Sequence, residues 1–329
     1  MHIPVIDIEP LVKGTNKVPD VARALHQACR DYGFFYITGH AVPVTLQESL
    51  QCLSRQFFDL PEPLKQKIAM ERGGRAWRGY FPVHQELTSG QPDRKEGIYF
   101  GEELSLNDPR VVAGLPLHGP NLFPELTEFK PLVLDYMARM KTLGGILMRG
   151  LALSLQLPED YFEKNLMSDP LILFRIFHYP SENSAPAEHS QWGVGEHTDY
   201  GALTILKQDS TGGLQIFSQD TWIDAPCIEN SFICNIGDML DKMTGGYYRS
   251  TPHRVKSNST KNRLSFPFFY DLNFNASPTP IDLQHLGISR SVAFKRWDQL
   301  DLEGYKGSYG EYLVQKVSKV FPLLRGNLK

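Results

Sequence analysis

The chain is short of several things at once. Only four cysteines occur in 329 residues, Cys29, Cys52, Cys227 and Cys234, and no two stand in Cys-x-x-Cys spacing. A disulfide framework has no footing in a chain of this size, so a reducing compartment is the default. No apolar run approaches the roughly 20 residues of a membrane helix. The opening Met-His-Ile-Pro-Val-Ile-Asp-Ile has the makeup of neither a signal nor a transit peptide. The expected location is therefore the cytoplasm, without a membrane partner. An excess of one charge is missing too: 34 basic and 37 acidic residues leave a net charge of −3, with no long single-sign run. That gives a nucleic-acid groove no electrostatic footprint. Repeats and low-complexity linkers are absent, and length alone leaves one large domain or two small ones.

What is present is ordinary globular material, 41% hydrophobic and 22% charged, enough for a large core. Residues 3–8 read as a short strand. Val21, Leu25, Ala28 and Tyr32 have helical spacing, with Asp20 as N-cap. Gly33 ends that helix and Phe34–Ile37 reads as a strand. Further helices are expected over 45–58 and 62–70. Residues 72–82 are Gly-rich and basic, either an anion loop or, with no helix pattern behind them, an ordinary turn. Residues 85–93 form a polar turn segment, and 102–124 an ordered surface excursion. From 128 to 155 apolar residues recur at three and four, the mark of a long amphipathic helix whose methionines are core packing. After Pro158 the texture changes to strand-like runs at 171–179, 202–207, 214–217, 231–236, 247–256 and 263–271. Turns such as Thr211-Gly212-Gly213 separate them. Many short strands without intervening helices imply a sandwich or barrel, and a jelly roll is the form that encloses a small site. A last helix is expected over 308–320.

The chemistry concentrates in that second half. In Gly195-Glu196-His197-Thr198-Asp199-Tyr200-Gly201, His197 and Asp199 stand two apart, so in extended chain both face one point. Such a pair is common by chance. Its weight rises because His253 follows 54 residues after Asp199, and because Arg263 and Ser265 share one face of an otherwise apolar strand. Two imidazoles and one carboxylate on one face of a metal leave the opposite positions open, the facial arrangement of non-haem Fe(II) oxygenases. A guanidinium in so apolar a strand is costly without an anion. The far carboxylate of a small diacid satisfies it bidentately, with Ser265 donating as well. A 2-oxo acid then chelates iron through its keto oxygen and near carboxylate, and dioxygen takes the last position.

These residues carry a resemblance over nearly the whole chain. Ala28–Tyr36, His197-Thr198-Asp199-Tyr200-Gly201, Asn235–Leu240, Pro252-His253-Arg254-Val255 and Arg263-Leu264-Ser265 together resemble the isopenicillin N synthase-like branch of the Fe(II)/2-oxoglutarate-dependent oxygenases. The resemblance implies a mainly β fold with α: a double-stranded β-helix (jelly-roll, cupin-like) core at 169–275. A helical N-terminal region, 1–168, would pack on it as one unit, followed by a C-terminal helical tail, 276–329. It implies His197, Asp199 and His253 as metal ligands and Arg263 and Ser265 on the far carboxylate of 2-oxoglutarate, with succinate and CO2 released. Tyr179 keeps a tyrosine that touches 2-oxoglutarate. Phe177 stands where many plant members have Asn, and Arg175 on the same strand face is the candidate to replace that contact, an ion-pair partner being the other reading.

For the substrate, Glu86–Asp93, Leu115–Pro120 and Met243–Gly246 are similar to the ethylene-forming enzyme and to homoarginine hydroxylase-like proteins. A carboxylate and a hydroxyl at Glu86 and Thr88 complement a guanidinium fork, Asp199 offers another acceptor, and Lys319 falls where an arginine would take the substrate's α-carboxylate. Tyr200 and Phe269 complete the candidate substrate set. The expected partner is a small molecule, a guanidino amino acid of arginine or homoarginine type. The competing readings are a flavonoid- or terpenoid-type substrate, ethylene formation from 2-oxoglutarate, a zinc hydrolase and a non-catalytic binding protein. The segment 180–195 reads as a lid or a loop, with His189 a poor ligand candidate.

Overall fold

A computed structural model describes residues 2–181, 192–218, 220–257, 260–287, 298, 301–322, 324 and 326; His189 and most of the segment 180–195 lie outside them. Twelve strands follow in chain order: β1 (Val5–Asp7), β2 (Phe34–Thr38), β3 (Gly79–Phe81), β4 (Glu96–Gly101), β5 (Ile172–Tyr179), β6 (Trp192–His197), β7 (Leu203–Gln208), β8 (Leu214–Ser218), β9 (Thr221–Asp224), β10 (Phe232–Ile236), β11 (His253–Lys256) and β12 (Arg263–Tyr270). Eight form one sheet in the order β1-β2-β10-β7-β12-β5-β4-β3, and four form the other, β6-β11-β8-β9. Apart from β1 with β2, every pair is antiparallel. The fold is a jelly roll with helices laid on the outside of the larger sheet.

Strands β1 to β4 come from the region expected to be helical, and they supply both edges of the larger sheet. Two of them, β3 and β4, were not foreseen, and neither were β6 and β9. Glycines hide β3 and β6, and charged flanks hide β4. The strand expected over 247–256 shrinks to β11. Thr244-Gly245-Gly246 turns the chain, and Tyr247 and Tyr248 instead pack on His26, with ring centroids 5.5 and 5.9 Å away. The helix expected over 62–70 is α-helical only over Glu62–Lys65. The basic stretch 72–82 is a 3₁₀ turn leading into β3. Asp20 is not an N-cap: the helix begins at Val18 with Pro19 in its first turn, and the Asp20 carboxylate pairs with Arg23 at 2.5 Å. A helix over Asp238–Met243 was also unread.

The long helix Phe129–Ser154 buries Phe129, Val133, Tyr136, Met140, Leu143, Leu147 and Leu151. Each fully buried side chain of this size contributes about 1.5–3 kcal/mol. It crosses the sheet at Gly144, where any β-carbon would collide with the Tyr270 ring. The C-terminal helix Tyr309–Val320 starts on a capping box, Ser308 with Glu311. It is tied to the core by two hydroxyls: Tyr309 donates to Asp271 at 2.5 Å and Tyr312 to Asp238 at 2.7 Å. No helix among the described residues is long and apolar enough to cross a membrane.

Candidate active site

Pairing of β6 with β11 sets His197 directly opposite His253. Their ring centroids lie 4.2 Å apart. Asp199, just past β6, brings Oδ1 to 3.9 Å from His197 Nε2 and 3.7 Å from His253 Nε2. Each His Nδ1 faces a carbonyl, Gly195 O at 2.8 Å and Thr251 O at 3.2 Å. Donation there leaves both Nε2 lone pairs aimed at the shared point. Asp199 Oδ2 accepts from Thr204 at 2.5 Å and Asn235 at 2.7 Å, which leaves Oδ1 free to turn inward. Burial first, and then His253, push His197 down to about 3. Burial opposes ionisation of Asp199, but His253, His197, Asn235 and Thr204 together hold its carboxyl below the usual range. Neutral imidazoles and an ionised carboxylate are the protonation states a divalent ion requires.

Gly201 explains the end of the His-x-Asp-Tyr-Gly run. A β-carbon there would overlap Asp271 Oδ1, which accepts from Ala202 N at 2.9 Å and so fixes the turn after the ligands. Gly201→Ala is expected to lower stability by roughly 2–4 kcal/mol, since a backbone-bonded buried carboxylate must move. Chemical denaturation checks this, and a loss under about 0.5 kcal/mol, the range of an ordinary surface change, would show the turn to be slack. Burial pushes Asp271 itself up to about 7, although the Tyr309 hydroxyl and Ala202 N–H work against that rise.

A second constellation lies on β12, β5 and β7. Arg263 pairs with Tyr179, and Ser265 stands between Phe177 and Gln208. The guanidinium is 4.7 Å from the Tyr179 ring centroid, and Nη2 donates to Gln208 Oε1 at 3.3 Å. Its Nε and Nη1 are buried without an acceptor among the described residues. Ser265 Oγ lies 3.3 Å from the Tyr179 hydroxyl. A buried guanidinium with two idle donors, flanked by two hydroxyls, fits a carboxylate of 2-oxoglutarate.

One cavity connects both constellations and also takes in Glu86, Thr88, Arg175, Tyr179, Tyr200 and Phe269. Arg175 stacks on Tyr99, 3.3 Å from the ring centroid, and lies 5.6 Å from that of Phe269. It makes no ion pair or hydrogen bond among the described residues, which disfavours the ion-pair reading and keeps it available for an anion. Glu86 accepts from Tyr99 at 2.5 Å. Lys319 does not reach the cavity: it is exposed on the C-terminal helix. One turn earlier, Lys316 Nζ sits 5.2 Å from the Tyr200 ring centroid.

Sequence reasoning missed Lys95, Tyr99, Asp271 and Tyr309 on the cavity wall, and Gln208 behind Arg263. Asn235, which orients Asp199, stood in the Asn235–Leu240 run but without a role. Lys95 is 2% exposed and its Nζ bonds Asp93 Oδ2 at 2.8 Å. No local pattern separates it from a solvated lysine.

Comparison with known families and proteins agrees with this geometry. Residues 171–272 match the 2OG-Fe(II) oxygenase superfamily, and residues 3–126 match the family described as non-haem dioxygenase in morphine synthesis N-terminal. A probable iron/ascorbate oxidoreductase of Dictyostelium discoideum is 47% identical, over 99% of this chain and 97% of its own. A 1-aminocyclopropane-1-carboxylate oxidase of the same organism is 39% identical, over 97% and 95%. A homoarginine-6-hydroxylase of Oryza sativa subsp. japonica is 36% identical, over 96% of both chains. Among solved structures, a Neurospora crassa protein in complex with alpha-KG and thymine superposes with a TM-score of 0.77 at 27% identity, covering 96% of each chain.

Proposed function

The chain belongs to the 2OG-Fe(II) oxygenase superfamily, and from that membership we propose that it oxidises a small free amino acid. It is an Fe(II)- and 2-oxoglutarate-dependent dioxygenase. In our reading His197, Asp199 and His253 hold the iron. Arg263 and Ser265, with Tyr179, hold the far carboxylate of 2-oxoglutarate, and Arg175 the near one. When bound, iron with 2-oxoglutarate and dioxygen supplies an oxidant able to take hydrogen from carbon, with succinate and CO2 released. The chain's own part is placement and dryness. Leu206, Leu214, Val255, Pro267 and Phe269 line the cavity with apolar surface that keeps water out.

The observation that carries the amino-acid reading is Glu86. It is a buried carboxylate on the cavity wall, with Tyr99 donating to Oε1 and Lys95 Nζ 3.1 Å from Oε2. A carboxylate oxygen carries two lone pairs, so Oε2 can accept an N–H from a bound molecule beside the ammonium. Two side-chain classes compete. A guanidino amino acid, arginine or homoarginine, is supported by Glu86 and Thr88 on the wall and by the relatives named homoarginine-6-hydroxylase. A short uncharged amino acid is favoured by Lys95, which already stands 3.1 Å from Glu86 Oε2, and by the relatives named 1-aminocyclopropane-1-carboxylate oxidase.

Succinate release by the Fe(II)-loaded enzyme tests the proposal. The panel is arginine, homoarginine, lysine, 1-aminocyclopropane-1-carboxylate and a flavonoid, with headspace ethylene followed in parallel. An amino acid is expected to stimulate succinate release and emerge oxidised; stimulation by the flavonoid alone would remove the reading. Glu86→Ala is expected to raise KM for the stimulating amino acid at least tenfold, a loss of about 1.4 kcal/mol, without changing the Kd of 2-oxoglutarate. An unchanged KM would show that Glu86 touches no substrate.

A further inference from the structure

We propose that Lys95 fills the seat a substrate guanidinium would take beside Glu86 and Thr88, and so turns the enzyme toward amino acids with short uncharged side chains. This rests on the amino-acid reading and narrows it. Lys95 immediately precedes β4 and faces the cavity. Its Nζ lies 2.8 Å from Asp93 Oδ2, 3.1 Å from Glu86 Oε2 and 3.3 Å from Thr88 Oγ1, above the Phe177 ring at 4.7 Å from the centroid. An ammonium has three donors: two bond Asp93 and Thr88, and Glu86 Oε2 stands within ion-pair distance.

The acceptors around it are engaged as well. The Thr88 hydroxyl donates to Asp93 and accepts from Lys95. Glu86 Oε1 accepts from Tyr99, and Oε2 looks at the ammonium. A guanidinium entering here would meet a used hydroxyl and, a few ångströms behind Glu86, a buried like charge. The ammonium also stays charged. Burial works against it, but Asp93 and Glu86 outweigh that and raise its pKa. Nor is the segment free to swing away. Leu87 N donates to Val320 O at 2.9 Å, and Gly195 N to Asp93 Oδ1 at 3.4 Å, so the loop is tied to the C-terminal helix and to the metal-bearing strand.

The double variant Asp93→Asn/Lys95→Met removes one charge of each sign and leaves Glu86 in place. Binding to the anaerobic Fe(II)- and 2-oxoglutarate-loaded protein is measured by calorimetry, with arginine, homoarginine, methylguanidinium and 1-aminocyclopropane-1-carboxylate as probes. Wild type is expected to bind the short amino acid at least tenfold more tightly than either guanidino amino acid. The double variant is expected to gain at least tenfold for all three guanidino probes and nothing for the short one. Wild-type preference for homoarginine overturns the proposal. So does a double variant that melts and binds 2-oxoglutarate as wild type does, yet gains no guanidino affinity. Should the double variant not fold, the wild-type ranking decides. If no amino acid binds wild type, the amino-acid reading fails, and capture of methylguanidinium by the variant still decides the role of Lys95.

Discussion

Arg263→Met is expected to raise the 2-oxoglutarate Kd by two to four orders of magnitude without destabilising the ligand-free protein. The wild-type guanidinium keeps Nε and Nη1 buried and idle beside Ser265 and Tyr179. A hydrogen bond to a charged group is worth about 1.5–3 kcal/mol, so losing two of them costs roughly 3–6 kcal/mol of binding. Without ligand the balance runs the other way. A buried cation with unfilled donors is a liability, and an apolar side chain of similar length removes it. Calorimetry with 2-oxoglutarate and thermal melting without it separate the two effects. Arg263→Lys is expected to recover only part of the affinity, because it keeps the charge but loses the fork. An unchanged Kd in the Met variant would move the acid elsewhere in the cavity.

The second large effect is on iron. His253→Ala is expected to abolish succinate release, a fall of at least about a thousandfold, as the removal of a group acting at the reacting centre does. It should also abolish the rise in melting temperature expected when Fe(II) is added to wild type. That rise reflects linkage: at one hundred times Kd a bound ion adds about 2.7 kcal/mol to stability. The ring of His253 packs edge-on to Phe34 with centroids 5.2 Å apart, so the variant loses some packing while β11 keeps its pairing with β6 and β8. A His253→Ala protein that still melts higher with Fe(II) would mean that the ion binds somewhere else.

Residues that act through neighbours in the chain were legible, and residues that act through distant partners were not. His197 and Asp199 share a face because they are two apart, and Arg263 and Ser265 because they are two apart on another strand. The run Asp93-Arg94-Lys95-Glu96 reads as solvent-facing charge. Yet none of the four is more than 5% exposed. Most of their partners lie far along the chain or across the turn. Glu96 takes Lys65 and His178, both at 2.7 Å, Lys95 takes Glu86, and Arg94 donates to Ser181 O at 3.0 Å. The long helix showed itself by its period of three and four. Strands β3, β4 and β6 did not, because glycines and charged flanks give them no alternation. Lys319 was placed on the cavity by resemblance, and the helical phase decides against it: Leu313, Val317 and Val320 face inward, and Lys319 points away.

The order of the strands also has a consequence for how the protein comes into being. The three proposed ligands and the two side chains that hold Asp199, from β6 through Thr204 and Asn235 to His253, lie within the single stretch 192–256. The larger sheet is assembled very differently. Its central strand β12 is made last, while β1 to β4 lie within residues 5–101 and occupy its rims. On a ribosome β1 can pair with β2 and β3 with β4 at once, but the free edge of β2 waits for β10 and that of β4 for β5, both in the second half of the chain. Long-range pairing of this kind is slow and exposes edges to aggregation. The rims of the larger sheet therefore close only after the strands of the second half have been made.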